Sequence, residues 1–133
     1  MASGAFSAPF VVALGIEPVS AAAGECESVL RLRPDHLQQN AFVHGGVQAT
    51  IADHTAGTAA ATLIGPDELV LTAQLNITLL RAAKGEFLHC HAKVLKGGAR
   101  LSVVEAEVFC ETGGECVLVS KALVTLAVVK RTR

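Results

Sequence analysis

Between residues 45 and 64 apolar side chains recur at Val47, Ile51, Ala52, Ala56, Ala59 and Leu63, a spacing that fits a helix better than strict alternation. The pattern predicts one long helix, ended by Gly65-Pro66. Its residues are small, with Gly57 in the middle and alanines around it, so neighbouring backbone can approach it closely. Beyond the helix everything reads as strand: residues 68–80, 86–95, 101–111 and 116–129. Lys84-Gly85, Gly97-Gly98 and Gly113-Gly114 separate them and are expected to supply the positive φ that tight reversals need, so consecutive antiparallel hairpins are the simplest topology.

Ahead of the helix, residues 7–14 suit a short helix with Pro9 in its first turn, where a missing N–H does no harm. Residues 15–20 and 25–33 read as a hairpin, the second strand alternating Cys26, Ser28, Leu30 and Leu32 against charged neighbours. Pro34-Asp35 stops it and opens a polar loop through Asn40. Two short strands, one long helix and four long strands make an α+β layout, with the helix against one face of an antiparallel sheet. The expected unit is a single domain, 1–133, with its core over about residues 10–130. Apolar residues remaining on the strands (Val103, Val108, Val117, Val119, Val124, Leu126) predict that an oligomer buries further surface.

Composition narrows the partners. At 51% hydrophobic and 17% charged the chain has ample material for a core, and its net charge of −1 comes from interleaved signs, which argues against a nucleic-acid partner. Cys26, Cys90, Cys110 and Cys116 show no Cys-x-x-Cys spacing and read as reduced thiols of a cytoplasmic protein. Residues 1–14 lack the basic start of a cleavable leader, and no apolar stretch is long enough to cross a bilayer, so no membrane association is expected. His89 and His91 alternate on one strand without an evident third ligand, so no metal is expected.

The chemistry concentrates in residues 44–57. Asp53 lies inside a helix of small apolar residues, where burying an unpartnered carboxylate costs several kcal/mol, so it is expected to be well bonded or held ready for reaction. His44-Gly45-Gly46 opens the same helix nine positions before it. Gly45, at the helix start, has an unpaired N–H and the positive end of the helix dipole, which together suit an oxyanion. Asp53 stands about 12 Å further along the axis at about 1.5 Å per residue, whereas a reacting carbonyl must lie within about 3 Å of both groups. One helix cannot supply both. Two antiparallel copies related by a twofold axis can, which predicts an active site present only in a dimer.

Phe42-Val43-His44-Gly45-Gly46 followed by Ala52-Asp53-His54-Thr55-Ala56-Gly57, and more loosely Leu75-Asn76-Ile77-Thr78 and Val94-Leu95-Lys96-Gly97-Gly98, resemble the hot-dog fold acyl-CoA thioesterases, in the branch typified by the phenylacetate-pathway enzymes. The resemblance implies a hot-dog fold, composite sites at a homodimer interface with a dimer of dimers also in prospect, and hydrolysis of an acyl-CoA without a cofactor, coenzyme A being part of the substrate. In the mechanism that follows, Gly45 N–H holds the oxyanion and Asp53 of the other chain attacks the carbonyl or activates a water. By the same similarity Thr72 positions the water or the carboxylate. Gln38, six residues before His44, orients the carboxylate or polarises the thioester, with Asn40 competing for that role, and the loop 38–43 lacks the glycine common before the histidine. His44 holds the loop or contacts the thioester, and Gly46 belongs with the substrate contacts.

For the coenzyme, Lys96-Gly97-Gly98-Ala99-Arg100 is the candidate phosphate cradle, with Lys96, Gly98 and Arg100 as contacts and Arg81 as a further cation. His54 points roughly 100° away from Asp53 around the helix and reads as structural or interfacial. Phe10, Phe42 and Leu63 are candidate linings for an apolar acyl pocket, aryl-acetyl and medium-chain acyl groups both remaining open. The rival readings are a catalytically silent acyl-CoA-binding protein and a hot-dog hydratase or dehydratase. The latter lacks its His-x-x-x-Pro-Gly-type signature here.

Overall fold

The computed structural model describes residues 2–132; Met1 and Arg133, the ends of the expected domain, lie outside them. In chain order the elements are α1 (Ala2–Ala5), α2 (Pro9–Leu14), β1 (Glu17–Ala22), β2 (Glu25–Arg31), a 3-10 turn at Pro34–His36, α3 (Gly45–Ala61), β3 (Glu68–Leu79), β4 (Phe87–Gly97), β5 (Leu101–Thr112) and β6 (Glu115–Lys130). The α+β layout is as expected: one long helix lies against one six-stranded antiparallel sheet.

The sheet order is β1-β2-β4-β5-β6-β3, which departs from a run of consecutive hairpins. β4-β5 and β5-β6 are hairpins, but β3 pairs with β6 at the far edge and β4 pairs with β2. Lys84-Gly85 is therefore part of a crossing link, not a hairpin turn. The link is held as it passes, Leu80 N–H donating to Val119 O at 2.8 Å, Val43 N–H to Ala83 O at 2.9 Å and Glu86 N–H to Glu111 O at 2.8 Å. Gly85 is needed there for space rather than for φ, because a Cβ would lie 2.5 Å from the Glu111 carbonyl oxygen. Of the three glycine-containing separators, Gly113-Gly114 alone takes positive φ, at 59° and 85°.

α3 buries Val47, Ile51, Ala52, Ala56 and Ala59 against Leu30, Leu88, Ala92, Val104, Ala106 and Val124 from the sheet. Small residues on the helix let it lie close to the pleated surface. It ends at Ala61, short of the expected boundary: Thr62 Oγ1 turns back to donate to Ala59 O and accepts from Gly24 N–H, each at 2.7 Å, which leaves Leu63 outside the helix and 49% exposed. Val108, Val119, Val124 and Leu126, read from sequence as surplus apolar surface, belong to the chain's own core. Val117 stays exposed as expected and Val103 is half-buried, and the exposed apolar residues also include Leu71 and Leu79 on edge strand β3, with Leu80, Leu95, Leu101 and Leu123.

Candidate active site

His44 adopts extended backbone (φ −60°, ψ 136°) and caps α3, its Nδ1 accepting from Gly46 N–H at 2.8 Å. A ring nitrogen that accepts here leaves the imidazole proton on Nε2. The cap consumes the Gly46 N–H and leaves that of Gly45 without an acceptor among the described residues. Val47 and Gln48 N–H both donate to His44 O, closing the first turn. Gly45 is thus the free donor at the positive end of a 17-residue helix. Its own neighbour is Leu79, whose Cδ1 lies 2.9 Å from where a Cβ would stand.

Two turns along the helix Asp53 is half-buried, more open than its apolar sequence neighbours suggested. Thr72 Oγ1 donates to Asp53 Oδ1 at 2.7 Å, joining the middle of α3 to edge strand β3. Thr72 reaches this position beside a bulge: the β3-β6 register shifts between Thr72 and Gln74, and such an extra residue bends the strand and re-aims its side chains. Thr72 and Asp53 are brought together as the sequence reading expected.

Asp53 borders two cavities. One, of about 260 Å³, is lined by Asp53, His54, Gly57, Thr58, Ala61, Val70, Thr72 and Leu126, with Ala5 at its rim. The other, of about 180 Å³, is formed by Phe10, Val11, Ala49, Thr50 and Leu75 with Asp53 and His54. Of the three candidate acyl-pocket residues, Phe10 borders the second cavity, whereas Leu63 and Phe42 border neither.

His54, expected to be structural or interfacial, stands beside Asp53 in the walls of both cavities. It stacks edge-on against Phe6 at 4.8 Å between ring centroids and has a buried Nε2 with no hydrogen-bond partner among the described residues. Burial pushes its pKa below the usual histidine value, opposed by the Ala5 backbone and by Asp53. A 100° turn from Asp53 is too small a rotation to carry a side chain off a shared cavity wall, and the adjacency Asp53-His54 was the available signal.

The loop ahead of α3 is tightly wound. Gln38 N–H donates to Phe42 O at 2.8 Å, Ala41 N–H to Gln38 O at 3.0 Å, and Gln38 Oε1 accepts from Asn40 N–H. The Gln38 side chain is thereby turned into its own loop, with only its amide NH2 left to offer, and Asn40 is exposed. Where a glycine would be natural, Ala41 takes φ +70°, a left-handed conformation that costs an L-residue about 1–2 kcal/mol.

The candidate coenzyme cations fall at opposite ends of the helix. The turn Lys96-Gly97-Gly98-Ala99-Arg100 is exposed and lies near the C-terminal end of α3, a Cβ on Gly97 standing 3.5 Å from Leu63 Cδ1. Gly45 is at the other end, about 25 Å away for 17 residues at 1.5 Å each. Arg81 belongs to the Gly45 end, in the link held against β6 by Arg81 N–H donating to Val119 O, and lines a recess of about 150 Å³ with Lys84.

Comparison with known proteins bears on the family and the fold. A family model described as the thioesterase superfamily matches residues 40–117. The 1,4-dihydroxy-2-naphthoyl-CoA hydrolase of Listeria monocytogenes is 30% identical over 99 residues, which are 74% of this chain and 80% of that protein. A solved thioesterase family protein from Silicibacter pomeroyi superposes with a TM-score of 0.95 at 27% identity, covering 98% of this chain and 96% of its own. A variant of the phenylacetic acid degradation protein PaaI from Thermus thermophilus superposes with a TM-score of 0.78 at 25% identity, covering 90% and 98%.

Proposed function

The chain belongs to the thioesterase superfamily, and from that membership we propose that it hydrolyses the thioester of an acyl-CoA to a free acid and coenzyme A. The observation that carries the proposal is Asp53 on the wall of a cavity, hydrogen-bonded by Thr72 Oγ1 at 2.7 Å. That bond fixes the orientation of the carboxylate and leaves Oδ2 for the reaction.

The Gly45 N–H takes the thioester oxygen and holds the charge that develops as the carbonyl becomes tetrahedral. Asp53 either takes a proton from an attacking water or bonds to the carbonyl carbon itself; in both courses the C–S bond breaks, coenzyme A leaves as a thiolate and is protonated, and one water is consumed. Single turnover in 18O-water tests for the nucleophile, since a mixed anhydride opened by water at the Asp53 carbonyl leaves the label in that carboxylate, which a general base never acquires.

Gly45 and Asp53 of one chain stand about 12 Å apart along α3, which supports a homodimer in which each site takes Gly45 from one protomer and Asp53 from the other. The unpaired outer edge of β3, with Leu71 57% exposed beside Thr72, is a surface that a second copy would cover. On this reading Gln38, Asn40 and Gly46 approach the partner's Asp53 with the Gly45 end. Arg81 serves the phosphates from that end, and Lys96, Gly98 and Arg100 serve them from the protomer that supplies Asp53.

The test is thiol release from a panel of phenylacetyl-, medium-chain acyl- and 1,4-dihydroxy-2-naphthoyl-CoA. Wild type is expected to turn over at least one of them, and Asp53→Asn to lose about 10³-fold or more in kcat. Equal rates for the two proteins would remove Asp53 from the mechanism. Binding without turnover by wild type would favour the silent acyl-CoA-binding reading.

A further inference from the structure

On the sheet face turned away from α3, where His89 alternates with the core residues Leu88 and Cys90, three side chains of different chemistry converge. His89 Nε2 and Glu111 Oε1 are 2.6 Å apart, and Cys116 lies directly across the β5-β6 ladder from Glu111. The imidazole nitrogen, a carboxylate oxygen and the Cys116 sulfur all lie within 4.8 Å of one another. We propose that His89, Glu111 and Cys116 form a zinc-binding site that ties β4, β5 and β6 together.

The donor set selects the ion. A thiolate excludes Mg²⁺ and Ca²⁺, which take oxygen ligands, while a mixed nitrogen, oxygen and sulfur set suits Zn²⁺. Zinc bonds of about 2.0–2.3 Å in tetrahedral geometry put neighbouring ligand atoms roughly 3–4 Å apart. A rotation about the Cys116 side chain, on the exposed strand end, closes the remaining difference. Three protein ligands leave the fourth position to water.

The scaffold is preformed, because all three residues sit on paired strands and the Phe87 ring packs beside that of His89 at 6.2 Å between centroids. Cys116 is the exposed thiol of the four, Cys26, Cys90 and Cys110 being buried. On binding, the ion replaces the hydrogen bond between His89 and Glu111, the imidazole proton resides on Nδ1, and the Cys116 thiol proton is released to solvent, so affinity rises with pH. His91 supplies an internal control: on the same strand face it meets Glu25 at 2.8 Å but belongs to no such three-ligand group among the described residues.

The experiment is a zinc titration of the tag-free full chain, reduced with a non-chelating phosphine, with cobalt absorption as a second readout. One zinc is expected per chain, weakened about tenfold or more by His89→Gln and by Cys116→Ser and unchanged by His91→Gln. Wild type loaded with Co²⁺ is expected to show the near-ultraviolet thiolate-to-metal band, absent from Cys116→Ser. Absence of zinc binding, equal binding by wild type and Cys116→Ser, or no thiolate band in cobalt-loaded wild type would each overturn the site. The cobalt spectrum of wild type needs no variant to fold, and neither readout depends on thioester hydrolysis.

Discussion

Thr72 is a single hydroxyl, and its bond to Asp53 sets a measurable expectation. A hydrogen bond to a charged group is worth about 1.5–3 kcal/mol, so Thr72→Val should lower kcat by roughly 10- to 100-fold with little change in KM. Thr72→Ser, which keeps the hydroxyl, should recover most of it; equal losses in both variants would assign Thr72 to packing alone. At the same scale the cysteines are sorted by burial. Desolvation pushes Cys26 up to about 11 and Cys90 up to about 12, while Cys116 is exposed. A disulfide-exchange reagent at pH 8 should therefore label one thiol in the native chain and four after denaturation. Above pH 9.0 an unfolded thiol ionises while Cys26 and Cys90 in the fold keep their protons. The folded state then binds more protons than the unfolded one, and stability falls as pH rises from 9.0 through about 11. Urea midpoints across that range check the sign.

The elements around the site are held by one buried histidine. His36 Nδ1 accepts from Arg33 N–H at 3.1 Å, its Nε2–H donates to Leu14 O at 2.7 Å, and its carbonyl accepts from His44 N–H at 2.9 Å. The C-terminal end of α2, the 3-10 turn and the entry to α3 thus meet in one side chain. Arg33 adds to the clamp through Leu14 O and Ala13 O, at 2.9 and 2.7 Å. His36→Ala takes the acceptor from Arg33 N–H and leaves Leu14 O to Arg33 Nη1 alone, and should cost about 1–3 kcal/mol, read from the urea midpoint. An unchanged midpoint would mean that water replaces both bonds. Helix and strand positions were legible in the sequence because burial imposes their periods. Leu63 was misassigned because the Thr62 side chain, bonded to Gly24 some 38 positions away, ends the helix in a way no local window contains. The pairing of β3 with β6 was likewise invisible, since a glycine in the 80–86 link serves close packing as readily as a turn.

At the scale of the whole molecule the decisive prediction is complementation. Proline is suited to the first position of a helix and restricts its predecessor to extended backbone, which His44 already has. Gly45→Pro therefore removes the oxyanion donor while leaving the cap in place, and Gly45→Ala, which keeps the N–H, is its control. Gly45→Pro and Asp53→Asn should each be inactive as homodimers. Random reassortment of the two should restore roughly a quarter of wild-type activity, because half the dimers are mixed and each carries one intact site. No recovery from mixed dimers shown to form would mean that each site lies within one chain.

The sequence by itself determined the helix of small residues, the strands, and the placing of a carboxylate and a free helix-terminal N–H on one element, because periodicity and chain spacing are local quantities. It also implied that these two groups need a second chain, since a rise of about 1.5 Å per residue fixes their separation. Tertiary structure alone decided which strand lies beside which, that His54 shares the cavities of Asp53, that Gln38 Oε1 is spent within its own loop, and that His89 meets Glu111 and Cys116. Each of these depends on the direction in which a side chain leaves the backbone and on what a distant segment places against it, and neither is encoded within a single turn of chain.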